Sequence, residues 1–163
     1  MKKILLSLLG LLLAFYVHGL YVFSAGQIEG SVNEMVQAGL DGKLSVCRNL
    51  GGQTRLDITV VHPFGETRME GDRYEDACGK LQGASLAISK LGMRVRHDME
   101  VVSIERAGLP WTQARADLRH DVSVEMPMGL MVRGDAGSDI TLRRGFTGPV
   151  ITRIRLRLTL AEL

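Results

Sequence analysis

The sequence predicts an α+β domain in which helices cover one face of a curved antiparallel sheet. Three observations predict it. Helical spacing of apolar residues is confined to the chain before Leu91, the chain from Met93 onward alternates apolar and polar residues almost to its end, and glycines and prolines gather between the alternating runs. With 163 residues, 45% of them hydrophobic and 23% charged, the chain has material for one core plus an appendage and too little for two.

The appendage comes first. Between Ile4 and Phe23, 16 of 20 residues are apolar, and Lys2-Lys3 precede them. A basic end before an apolar run stays in the cytoplasm and directs the remainder of the chain outward. Residues 1–25 are therefore read as a signal peptide or a single membrane anchor, and residues 26–163 as the folded domain. Val17-His18-Gly19 or Ser24-Ala25-Gly26 would supply the small residues of a cleavage site, while the run is also just long enough to span a bilayer uncleaved. Both readings place the domain in the periplasm or on the outer face of the inner membrane, or secreted.

The domain opens with Ile28, Val32, Met35 and Val36 at helical spacing, then Leu40, Leu44, Cys47 and Leu50, up to Gly51-Gly52, which read as a turn. Leu56, Ile58, Val60 and His62 share one phase of a strand that ends in the turn Pro63-Phe64-Gly65. Asp72 to Glu75 reads as a capping box, and Tyr74, Ala77, Cys78, Leu81, Ser85 and Ile88 form the inward stripe of a helix over about residues 73 to 91. Four further strands are predicted, over 93–105, 112–126, 139–146 and 150–160, with turns at Gly108-Leu109-Pro110, Gly134 to Gly137 and Gly145 to Pro149. Adjacent Val101 and Val102 break the alternation and predict a bulge. Cys47 and Cys78, an even pair in an exported domain, are expected to form a disulfide.

This order of elements resembles the nuclear transport factor 2-like cone, in particular its ketosteroid isomerase and polyketide-cyclase-like branch. The words that carry the resemblance are Gln37 to Gly42 between the first helices, His62-Pro63-Phe64-Gly65 with Gly71 before the long helix, and Asp139 six residues before Gly145. The resemblance implies three helices packed on a curved antiparallel sheet. In isomerases of that branch an Asp in the hairpin shuttles a proton, while a Tyr and a protonated Asp hold the oxyanion. The corresponding positions here are His62, Val32 and Asp139. Only Asp139 is unchanged, and its strand phase, opposite to Ile140 and Leu142, points it away from the core.

His62, His97 and His120 each lie in the apolar phase of a different strand, so they are candidate ligand-binding residues lining one cavity. As a general base His62 would suit proton transfer near neutral pH, with Asp139 as the second acid. Three histidines from separate strands lack the local chelating pair of a zinc site, and Met126, Met128 and Met131 read as an irregular core edge or a flexible binding lip rather than copper ligands. No metal or cofactor is expected.

Nucleic acid is excluded as a partner on charge, because setting aside Lys2 and Lys3 leaves 18 basic against 18 acidic residues. Arg94, Arg96, Arg115, Arg119, Arg153, Arg155 and Arg157 form an outward face interleaved with acids, suited to solvent or to a homodimer through the sheet. Together these features point to an exported or membrane-anchored binding or assembly module with a small apolar cavity. Its partner would be a small apolar ligand or a protein, and the inner membrane too if the N-terminus stays. The alternative is a small isomerase or cyclase using His62.

Overall fold

The computed structural model describes residues 2–62, 65–108, 110–127 and 131–162, with the side chains of 2–5 and 162 left aside. Two helices open the chain, α1 (Lys2–Val22) and α2 (Ala25–Leu40), followed by a 3-10 turn (Leu44–Cys47). Strands β1 (Leu50–His62) and β2 (Gly65–Gly71) form a hairpin, and helix α3 (Tyr74–Lys90) leads into β3 (Arg94–Ala107), β4 (Gln113–Glu125), β5 (Met131–Arg144) and β6 (Pro149–Glu162). The strands make one six-stranded sheet in the order β2-β1-β6-β5-β4-β3.

The sheet is mixed rather than wholly antiparallel. Three successive hairpins return β6 to the direction of β1, and these two pair in parallel, Leu56 beside Ile154 and Ile58 beside Leu156. The expected second helix shrinks to the 3-10 turn, because Asp41-Gly42 ends α2 and Gly42 takes φ +70°. Gly51 and Gly52 lie inside β1, not in a turn. Thr54, fully buried, closes the irregularity there, its Oγ1 within 2.7 Å of the Gly51 carbonyl and 2.8 Å of the Ile151 carbonyl.

Residues 134–137 are also strand, not turn. Gly134 faces Leu158 and Leu160 of β6 so closely that a Cβ would stand 2.8 Å from the Thr159 carbonyl, so its glycine serves a close approach of strands. The capping box is absent: the residue before α3 is Arg73, and no side chain caps the helix. The Val101–Val102 bulge is present as a register shift between Val101 and Ser103. Pro63, Phe64, Leu109 and Met128, which figure in the expected turns and lip, lie outside the described residues.

One clasp holds the helices over the sheet. Ser85 Oγ on α3 donates to the Gly39 carbonyl at the end of α2 (2.6 Å), and Cys47 in the 3-10 turn is disulfide-bonded to Cys78 on α3. Ala77 and Cys78 are buried against the sheet, whereas Leu81 is only partly buried and, with Ile88, lines a hollow. The filled core lies toward the other end of the sheet, where Ile28, Phe23, Leu142 and Ile151 are at most 2% exposed.

Candidate functional site: a histidine relay on an apolar cavity

A partly open cavity of about 280 Å³ lies between α2 and α3 above and the sheet below. Val32, Met35 and Val36 come from α2, Leu81 and Ile88 from α3, and Ile58, Ile140 and Leu156 from the sheet. The polar side chains on this wall are Ser85, which is committed to Gly39, and the group His97, His120 and Ser138.

The sheet register assembles that group. His97 on β3 pairs with Val122, so it is the diagonal neighbour of His120 on β4, and His120 pairs with Ala136, so it is the diagonal neighbour of Ser138 on β5. Residues displaced by two share a face, and each diagonal step is within reach of an imidazole. His97 Nε2 and His120 Nδ1 are 2.8 Å apart, and His120 Nε2 and Ser138 Oγ are 2.6 Å apart. On the β5 side the direct partner of His120 is Ala136, whose small side chain leaves the ring space toward Ser138, and on the β3 side it is Met99.

Burial pushes the His120 pKa down to about 4, with repulsion from His97 as a second cause. His97 is also lowered by burial, against the opposing pull of Asp98. Both rings are therefore neutral at pH 7, and each carries one N–H and one lone pair. Two proton arrangements satisfy both contacts. In one, His97 donates to His120 and His120 donates to Ser138, leaving the serine O–H free to donate. In the other every proton points the opposite way, and Ser138 presents only an acceptor. His97 Nδ1, at the far end of the chain, is buried without a hydrogen-bond partner among the described residues.

His62 is not part of this group. It shares the strand phase of Ile58, but β1 contributes Ile58 to the cavity lining and His62, four residues further on, is not part of that lining. His62 Nε2 instead contacts Thr67 Oγ1 on β2 at 3.3 Å. Asp139 lies on the opposite face of the sheet from Ile140, half-buried and ion-paired with Arg115. Val32, at the family's tyrosine position, is 3% exposed and offers no hydroxyl. Of the three candidate histidines the structure brings His97 and His120 together, joined to Ser138, and His62 is not in the cavity lining. Ser138 is missed by a strand that starts at Asp139; one that starts at Met131 puts Ser138 in phase with Ile140 and Leu142. Among the described residues no group of three or more His, Cys, Asp or Glu side chains is gathered to hold a metal ion.

No family model matches the chain, and no curated protein matches it. Solved structures do. A protein from Novosphingobium aromaticivorans provisionally named a scytalone dehydratase superposes with a TM-score of 0.66 at 11% identity, covering 83% of this chain and 85% of its own. A nuclear transport factor 2-like protein with a cystatin-like fold from the same organism gives 0.60 at 14% identity, over 82% and 80%. A ketosteroid isomerase-like protein from Erwinia carotovora atroseptica gives 0.54 at 12%, over 86% and 98%. The fold is nuclear transport factor 2-like, as the order of elements implied.

Proposed function

We propose that this chain is an exported nuclear transport factor 2-like binding module whose cavity takes a small, mostly apolar ligand carrying one polar atom. The observation that carries this reading is the relay His97–His120–Ser138, the uncommitted polar group on an otherwise apolar wall. Such walls with few polar groups bind by burial and orient by hydrogen bonding. The volume, about 280 Å³, favours a ligand at the small end of the usual range. Each of the two proton arrangements satisfies the same contacts, so Ser138 meets a carbonyl as donor in one and a hydroxyl as acceptor in the other; exchange between them takes up one proton from solvent at His97 Nδ1 and releases one at Ser138, or the reverse.

Export is supported by the Cys47–Cys78 disulfide, since such bonds persist in oxidising compartments, and by the apolar N-terminal helix. Proton abstraction by His62 lacks geometric support, because the imidazole lies outside the cavity lining and Val32, at the family's tyrosine position, offers no hydroxyl.

The test compares 1-naphthol with naphthalene, using histidine ring signals in NMR spectra of the intact chain. We expect naphthol to bind several-fold more tightly and to move the His97 and His120 signals. Ser138→Ala and His120→Phe should each erase the preference. Equal binding of the two probes, or no movement of either ring, would exclude the relay as a recognition element.

A further inference from the structure

The other feature that the fold does not need for its cavity is the way α1 is built into the domain. Val22 and Phe23 at its end are 1% and 0% exposed and belong to the core. Arg106 Nη2 donates to the Phe23 carbonyl at 2.9 Å. One turn back, Gly19 packs so tightly that a Cβ would stand 3.1 Å from the Pro110 carbonyl and 3.2 Å from Trp111 Cβ. Arg144 Nε donates to His18 Nδ1 at 3.1 Å, and its guanidinium lies 3.6 Å over the Phe15 ring. The Tyr16 and Trp111 rings are 5.9 Å apart. Trp111 holds φ +58°, a left-handed backbone that a bulky side chain adopts only when its surroundings impose it.

Before Phe15 the helix changes character. Leu6, Leu8, Leu9, Leu11, Leu12 and Leu13 are each 56% to 71% exposed. Beside them the loop after β5 holds out Phe146, 100% exposed, and Phe146 shares one depression with Leu11, Phe15, Arg143 and Arg144.

We infer that α1 is retained in the mature protein, that its leucine face lies in a lipid bilayer, and that the domain rim formed by Phe146, Tyr16 and Arg143 sits in the headgroup layer. This rests on the N-terminal geometry and not on what fills the cavity. Cleavage after Ser24-Ala25-Gly26 would take Val22 and Phe23 out of the core, and cleavage after Val17-His18-Gly19 would remove the partners of Arg144 and Trp111. Retention leaves a row of leucines that water solvates poorly.

Length then fixes the depth. Lys2 to Ala14, the stretch of α1 that precedes the contacts of Phe15, Tyr16 and His18, is about 20 Å of helix, whereas the hydrocarbon core is about 30 Å thick. Among the described residues no single helix is long and apolar enough to cross a membrane; the pair Leu6–Val22 and Ala25–Leu40, bent by 49°, reaches that length and composition only together. A rim held above the surface would therefore lift half of α1 out of the lipid. A rim lying in the headgroups immerses the leucines and places aromatic rings and arginines at the interface, where such residues are favoured and where Arg143 can meet phosphate.

Trp111 is the sole tryptophan of the chain and lies at this junction, so it reports depth directly. The full chain is produced in a bacterial host that exports it, its mass is measured, and it is reconstituted in phosphatidylcholine/phosphatidylglycerol vesicles. We expect an intact N-terminus and at least a halving of Trp111 fluorescence by a headgroup nitroxide lipid, with weaker quenching by a nitroxide deep in the acyl chain. Phe146→Asp, at a position fully exposed in the fold, should reduce the headgroup quenching several-fold while the chain stays with the vesicles. A mature chain beginning after residue 19 or residue 26 would overturn the inference. So would a Trp111 that headgroup nitroxide leaves bright and aqueous iodide quenches, whether the domain floats on its helix or the leucine faces pair between two copies.

Discussion

His97 Nε2 and His120 Nδ1 stand 2.8 Å apart although the two residues are diagonal, not direct, partners in the β3–β4 ladder. The contact joins two neutral imidazoles, and that makes it sensitive to acid. The unfolded chain takes up a proton at His120 near the ordinary value of 6.5, whereas the folded chain resists until about 4. Between those values the unfolded state binds more protons, so stability falls as pH falls through the window and levels off below it. The expected loss is roughly 2 to 3 kcal/mol after allowance for partial solvent screening. Urea unfolding at pH 7, 5.5 and 4.5 checks this, with His120→Asn flattening most of the slope.

Removing the disulfide should cost roughly 3 to 4 kcal/mol, because Cys47 and Cys78 are 31 residues apart and their bond restricts the unfolded chain. Cys47→Ala with Cys78→Ala, unfolded in urea beside the parent with and without reductant, gives the figure. Thiol titration of the unreduced, denatured parent should find no free thiol.

Gly134 and Gly137 lie three residues apart in β5 and should respond differently to alanine. At Gly134 the new Cβ would meet the Thr159 carbonyl at 2.8 Å and Leu158 Cδ1 at 3.0 Å, and the expected loss is about 1 to 3 kcal/mol. At Gly137 nothing lies within 4 Å, so Gly137→Ala should be close to neutral. Thermal unfolding of the two variants side by side reads the difference, and equal effects would mean that β5 does not run through this segment.

Leu81 and Leu142 test whether the cavity is hollow. Leu142 is 0% exposed in the filled core, so Leu142→Ala should cost about 2 to 5 kcal/mol. Leu81 already borders open space, so Leu81→Ala should cost only about 1 to 2 kcal/mol. Equal large losses in denaturant titrations would indicate a packed interior in place of a cavity.

Much of this protein is legible without a structure. The stripe from Tyr74 to Ile88 specifies α3 almost to the residue, because a long amphipathic period has one reading. The alternation of Ala114, Ala116, Leu118 and His120 specifies the inner face of β4, and the same logic places Asp139 outward, because a period of two assigns every residue to a face. The cysteine pairing follows from parity and from the expectation of an oxidising compartment.

Tertiary structure decided what local pattern does not encode. Periodicity says which face a side chain takes but not which strand lies beside it or where along the strand the roof ends. His62 and His97 have equal standing in the sequence, yet only His97 lines the cavity, while His62 contacts Thr67 on the neighbouring strand. Gly134 to Gly137 has the composition of a turn because glycine serves both turns and close strand approaches, and the packing of Leu158 and Leu160 selects the second. Phe23 belongs by composition to a removable segment, but its burial and the bond from Arg106 of β3 to its carbonyl make the end of that segment part of the core. Each of these outcomes depends on contacts between residues far apart in the chain, and a sequence read locally carries no information about their geometry.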